Sequence, residues 1–424
     1  MFLSSITTLH SALNRVYLCL MTTRQWLTFA LCWCAGLASG SIATLVPTFL
    51  PSITATLAPT APLEETAQIG AFLQSVFLVG WVTGGVVLGL FADLRGRLPV
   101  LAIALSIAVL GAASLPLAPS PAFAYIVRFI TGIGVGSTMV ISTTLGAEVL
   151  SHGRRPVFMG LLANSYAFGI VFLGGLQSTD MLWSDASFVM LFFALLVPAV
   201  GSLSTKPVAT TMHHESEPTE RLASALRQSR RDLIIGSLLF GCMLITLWAS
   251  FSWLPTWATA LFPGNDSGAG LRGSIMVSLG IGGIVGSIFS GVIARRIGRV
   301  KTVVVCYSGA LIGCLALYTS APSTPGTMMF LVSALAVFFG MCQGMMAFYI
   351  PELFPPRIRA TSVGVCFNAG RLITAGAVLN VGFLAVALGG YQEALLVFTA
   401  PLAIGLTITW FAREPHPALQ SPTI

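Results

Sequence analysis

The sequence is poor in charge. Of its 424 residues only 8% are Asp, Glu, Lys or Arg, while 55% are hydrophobic and the mean hydropathy is +0.89. A soluble domain needs about a quarter of its residues charged to keep its surface in water, so a water-soluble fold is excluded. The short alternating strands of a membrane barrel, about ten residues each, are also missing. The apolar runs are roughly twice that long, and lipid offers a free backbone amide no partner, so the spanning elements are helices. Histidine is absent from those runs: His10, His152, His213, His214 and His416 all fall in loops or tails. Cys32, Cys34, Cys242, Cys306, Cys314, Cys342 and Cys366 lie inside apolar runs, where Cys behaves as a small hydrophobe. No disulfide, metal site or cofactor is therefore expected. Nor do the spans hold a nucleophile beside a base, which argues against an enzyme. Gly132, Gly134 and Gly136 follow no strand and do not form a nucleotide loop.

What is present is a series of apolar stretches of about twenty residues. They predict an all-α membrane protein of twelve transmembrane helices, near 26–50, 68–92, 98–118, 121–145, 156–177, 187–204, 233–257, 272–294, 300–320, 325–350, 361–386 and 391–412. The polar segment between the sixth and seventh divides the chain into an N-terminal segment 1–25, a six-helix bundle 26–204, a linker 205–232, a second bundle 233–412 and a tail 413–424. Lys and Arg accumulate in cytoplasmic loops because they resist translocation. With the N-terminus inside, 18 of the 21 basic residues fall on that side, leaving Arg272 outside and Arg128 and Arg371 within the membrane. Both termini are thus expected in the cytoplasm of a bacterial inner membrane. Topology and lipid account for the net charge of +7 without any nucleic acid partner. No small-residue cleavage site follows Met1 to Arg24, so this stretch does not read as a signal peptide; Met21 is an alternative start.

The two bundles repeat one another. Gly89, Ala92, Gly96 and Arg97 recur 202 positions on as Gly291, Ala294, Gly298 and Arg299. Glu148, Arg155, Gly160 and Asn164 recur 204 positions on as Glu352, Arg359, Gly364 and Asn368. A duplicated helical bundle suits a site between the halves that opens to each side in turn.

Three stretches resemble the major facilitator superfamily. Gly89-Leu-Phe-Ala-Asp93-Leu-Arg-Gly96-Arg97 is similar to its loop motif G-x-L-x-D-x-x-G-R. Arg128-Phe-Ile-Thr-Gly132-Ile-Gly134-Val-Gly136 and Pro351-Glu352-Leu-Phe-Pro355-Pro-Arg357-Ile-Arg359-Ala-Thr resemble the metabolite–proton symporter branches that carry aromatic acids, sialate and sugars. The resemblance covers the whole chain. It implies a duplicated transporter fold and, for Asp93, a carboxylate facing the positive end of the eleventh helix near Thr361, worth about 0.3–1 kcal/mol when exposed. The aromatic-acid branch carries paired aspartates in its first helix, whereas 26–50 contains no charged residue.

Asp93, Arg97, Glu148, Arg155, Glu352 and Arg359 are candidate gating or coupling residues. The seven-residue spacing from Glu148 to Arg155 and from Glu352 to Arg359 suits a latch across a loop, with ordinary loop charges as the alternative. Arg371 is the sharpest substrate candidate. It lies about ten residues, roughly 15 Å, into its span, where a guanidinium costs at least about 2.5 kcal/mol. All fourteen acidic residues fall at the membrane ends, in loops, in the linker or in the tail, so an anionic substrate is its simplest partner. Arg128, Asn164, Asn368, Tyr166 and Gln74 are further substrate candidates, and Gln343, Trp248 and Trp253 weaker ones. For each, helix packing is the competing role. The reading that follows is a monomeric secondary transporter of a small organic anion, taking it up with protons; efflux of a metabolite or drug by the same fold is the alternative.

Overall fold

The computed structural model describes residues 22–149, 155–204, 219–263, 268–320, 322–355 and 358–415, with the side chains of 63, 155–157, 201–204, 219–223 and 268–269 left aside. Among these residues twelve helices are long and apolar enough to cross a membrane. They are α1 Thr23–Leu57, α2 Leu63–Arg95, α3 Arg97–Ser114, α4 Pro121–Val149, α5 Arg155–Gln177 and α6 Trp183–Val200, then α7 Arg230–Leu261, α8 Gly268–Ile297, α9 Arg299–Ser320, α10 Pro325–Glu352, α11 Arg359–Ala387 and α12 Tyr391–Phe411. Each expected span overlaps one of them. Several run well past the apolar stretch: α2 begins with Glu64 and Glu65, whose charges suit a helix N-terminus but drop out of a hydropathy reading. The sixth span starts four residues earlier than expected, at Trp183.

The helices pack closely because small residues face one another. A Cβ added to Gly132 of α4 would overlap the Phe77 carbonyl of α2, so bulk there would part the two helices. Equivalent loops also turn alike. Gly96 and Gly298, each ending one helix just before an arginine that begins the next, have φ of 93° and 94°, a region that favours glycine.

Contacts between the halves concentrate at the end opposite the linker. There the Ser75 hydroxyl of α2 donates to the Ala375 carbonyl of α11 at 2.8 Å. Nearby α5 and α8 touch through backbone, since a Cβ on Gly273 would meet the Gly174 carbonyl at 2.6 Å. On the linker face the ion pairs Arg97–Asp93, Arg97–Glu148, Arg299–Glu352 and Arg413–Asp232 each stay within one half. The halves therefore meet at the far end.

Candidate functional site

Between the halves lies a cavity of about 280 Å³, lined by α1, α2, α4 and α5 from one half and α7, α8, α10 and α11 from the other. This is just below the roughly 300–1,000 Å³ of ligand pockets. Its wall is mainly aromatic and aliphatic. The polar groups on it are Arg371, Tyr166, Asn164, Gln343, Ser287, Thr143 and Thr44. No Asp, Glu or His is among the lining residues.

Arg371 is held by rings. Its guanidinium carbon lies 5.2 Å from the ring centre of Trp81, 5.5 Å from that of Phe240 and 5.9 Å from that of Phe367. Phe367 is one helical turn before Arg371 on α11, Phe240 belongs to α7, and Trp81 comes from α2 in the opposite half. No ion pair or hydrogen bond engages Arg371 among the described residues. Ring faces stabilise the cation by about 0.5–2 kcal/mol each without occupying its N–H groups. The fork of donors is left for a ligand. Tyr166 lies 5.9 Å from Trp81, ring to ring, and also lines the cavity.

Asn164 and Ser287 meet across the two halves. The Ser287 hydroxyl donates to the Asn164 side-chain oxygen at 2.7 Å, so the Asn164 amide hydrogens remain for a guest. Trp248 closes the wall near Trp81 and Phe77, at ring-centre distances of 6.4 and 6.2 Å.

The remaining sequence candidates lie elsewhere. Arg128 is buried behind the wall, donating to the carbonyls of Ile42 and Ala43 at 3.3 and 3.0 Å with its guanidinium 4.0 Å from the Phe77 ring centre. Gln74 is fully buried away from the cavity, and neither its amide nitrogen nor its oxygen has a protein partner among the described residues. Neither Asn368 nor Trp253 is among the lining residues, and Trp253 is fully buried within α7. The cage residues Trp81, Phe240 and Phe367 were not singled out in the sequence. Only Phe367 carried a signal, its four-residue spacing to Arg371.

The linker-face charges pair differently from the expected seven-residue spacing. Glu148 bonds Arg97 at 2.7 Å, and Arg97 also reaches Asp93 at 3.3 Å. Glu352 takes a two-pronged bond from Arg299, at 2.9 and 3.2 Å, rather than from Arg359, whose Nε donates to the Phe354 carbonyl. The physical reason is reach: in each half the glutamate ending the fourth helix faces the arginine that starts the third. Asp93 is largely exposed and bonded to Arg97, not to the start of α11. The Arg155 side chain lies outside the described residues. A further carboxylate was not foreseen: Glu414 accepts from the backbone amides of Arg299 and Val300 at 3.0 and 2.9 Å, capping α9.

Two similar sets of six membrane-crossing helices around one central cavity define a transporter rather than an enzyme. The description Major Facilitator Superfamily fits this chain over residues 28–378 and 273–423, and the chain belongs to that superfamily as a multi-pass secondary transporter. Among characterised proteins it is 25% identical to the cis,cis-muconate transport protein of Acinetobacter baylyi, over 76% of this chain and 78% of the relative. It is likewise 25% identical to the gallate transporter of Pseudomonas putida, over 90% and 91%, and to the 3-(3-hydroxy-phenyl)propionate transporter of Escherichia coli, over 81% and 84%. In fold it is similar to the D-xylose-proton symporter, with a TM-score of 0.75 at 17% identity over 92% of this chain and 98% of that one. A partially occluded inward open form of the xylose transporter from E. coli gives 0.73 at 14%, over 95% and 100%.

Proposed function

We propose that the chain carries a small organic anion, a carboxylate metabolite, across a bacterial inner membrane by alternating access, in the direction of uptake and together with protons. The observation that carries this reading is Arg371: a cation in the cavity wall, steadied by three rings and without a carboxylate partner among the described residues. A guanidinium fork matches a carboxylate's two oxygens, and such charge-assisted bonds are the strong ones. The aromatic walls suit a flat, unsaturated body behind that carboxylate, while Tyr166, Asn164 and Gln343 offer hydrogen bonds to its other substituents. Names of the relatives, for muconate, gallate and a hydroxyphenylpropionate, agree with this chemistry.

Positive residues crowd the linker face, which supports cytoplasmic termini; the contacts between the halves at Ser75–Ala375 and Gly174–Gly273 then lie on the outer side. The unit that binds and moves substrate is complete within one chain, which supports action as a monomer. The wall holds no titratable carboxylate or histidine. Proton movement accordingly takes one of two routes: the substrate travels as the protonated acid, or Asp93 or Glu148 relays the proton at the linker face; facilitated transport or anion exchange, without proton coupling, is the competing outcome.

The experiment is uptake into proteoliposomes of labelled muconate, gallate, 3-(3-hydroxyphenyl)propionate and simple mono- and dicarboxylates, with and without an imposed pH gradient. Saturable uptake of a carboxylate, accelerated by an acidic exterior, is expected. Uptake that depends only on a trapped counter-anion overturns the proton part. The apolar wall also favours a second reading, export of an amphipathic metabolite or drug; Arg371→Ala would leave a hydrophobic exporter working and abolish carboxylate transport.

A further inference from the structure

Helix α1 is broken by its own sequence. Pro47 has no N–H to give the Ala43 carbonyl four residues back, and Pro51 repeats the omission for the Pro47 carbonyl. The backbone leaves helical geometry at Phe49, with φ −107° and ψ 16°. Thr44 and Thr48 add strain of the same sense, since their hydroxyls donate to the carbonyls of Gly40 and Thr44, each at 2.7 Å, and such back-bonding bends helices. A carbonyl left without its donor inside a membrane bundle must be satisfied from another helix.

Arg128 of α4 supplies that donor. Its Nη2 meets the Ala43 carbonyl at 3.0 Å and its Nη1 the neighbouring Ile42 carbonyl at 3.3 Å. The side chain is 1% exposed, and Phe77 covers the guanidinium on its other face. No carboxylate sits in α1 to compete for it, because Thr23–Leu57 has no Asp or Glu.

We infer that Arg128 is a positioning residue of the break in α1: it replaces the hydrogen bond that Pro47 removes, and so fixes the cavity-lining part of α1, which carries Thr44, against the outer part beyond Phe49. Two consequences follow. Arg128 is engaged by backbone, so the anion meets one arginine and not two. Movement of the outer end of α1 during transport is hinged at a joint whose stiffness Arg128 sets.

A double-variant cycle on the purified full chain tests this. Pro47→Ala restores the backbone donor to Ala43, so the effect of losing Arg128 should shrink in that background. In the parent, Arg128→Met is expected to lower the melting temperature by about 6 °C and to speed amide hydrogen exchange in residues 43–53 at least about tenfold. In the Pro47→Ala background both effects should fall below half of those values. If Arg128→Met cannot be recovered from membranes but Pro47→Ala/Arg128→Met can, the inference stands. If neither can, the same cycle is run with Arg128→Lys, whose single ammonium reaches one carbonyl at a time and whose effect should again be smaller in the Pro47→Ala background. Equal losses in the two backgrounds, by either substitution, overturn the inference. Acceleration of exchange spread evenly over α4 and α1, rather than centred on 43–53, would show ordinary packing and overturn it as well.

Discussion

The guanidinium carbon of Arg371 lies 5.2 Å from the centre of the Trp81 ring, and the two residues belong to opposite halves of the protein. The contact therefore does two things: it stabilises a cation that has no anionic neighbour among the described residues, and it ties α2 to α11 across the cavity. Any change that moves the halves apart alters the environment of the substrate's charge partner.

Removing that ring should weaken substrate binding more than it disturbs folding. A single cation–π contact is worth about 0.5–2 kcal/mol, or about two- to thirtyfold in affinity. Trp81→Leu is expected to raise the KM for uptake within that range, whereas Trp81→Phe keeps a ring face and should stay within about threefold. The concentration dependence of initial uptake rates checks both. A Trp81→Leu variant with unchanged KM would remove the cage from the account.

The second half offers a cleaner test of the linker-face pairs, because Arg299 and Glu352 form a two-pronged bridge at 2.9 and 3.2 Å. Both side chains are about a quarter exposed, so solvent screening holds the pair to about 1 kcal/mol. Glu352→Gln should lower the thermal midpoint by a few degrees. The exchange Arg299→Glu with Glu352→Arg should recover part of what each single reversal loses. If the double reversal is no better than the worse single one, the pair makes no net contribution.

Close backbone contact at the far end makes a steric prediction. A side chain on Gly273 meets the Gly174 carbonyl of α5 at 2.6 Å and overlaps the hydroxyl of Ser178, the residue just after that helix. Gly273→Val should thus hold α5 and α8 apart at that end, leaving Met276→Cys, a buried position on α8 packed against Gly174, open to a membrane-impermeant thiol reagent that the parent excludes, and reducing transport by about tenfold or more. Unchanged labelling would mean that the contact yields without opening the end.

The architecture was legible from composition because charge is expensive in lipid: twelve apolar stretches and one polar interruption are all that the fold requires, and each stretch overlaps a helix. The repeat at Arg97 and Arg299 pointed to real structure too, down to the matching left-handed glycines before them. Partners were harder to read. Spacing along the chain put Glu352 with Arg359, but contact is decided by which helix ends adjoin, and Arg299, fifty-three positions away, is the arginine that bonds it. Arg128 and Arg371 look alike in sequence as lone cations in apolar runs. One faces the cavity and the other is spent on the carbonyls of Ile42 and Ala43, a difference that depends on the break at Pro47 in a distant helix. The cage was least visible, since Trp81 and Phe240 are ordinary aromatic residues until the halves come together around Arg371.

Charge recognition at Arg371 is the claim on which the functional account turns, and comparing an acid with its uncharged primary amide isolates it. For the transported carboxylate, the parent should prefer acid over amide by about tenfold or more, the scale of a hydrogen bond to a charged group. Arg371→Gln should erase that preference, chiefly by weakening the acid, while Arg371→Lys should retain part of it. Competition measurements of uptake with the purified protein in vesicles read the ratio directly. An Arg371→Gln variant that still selects the acid over the amide to the same degree as the parent would contradict the account.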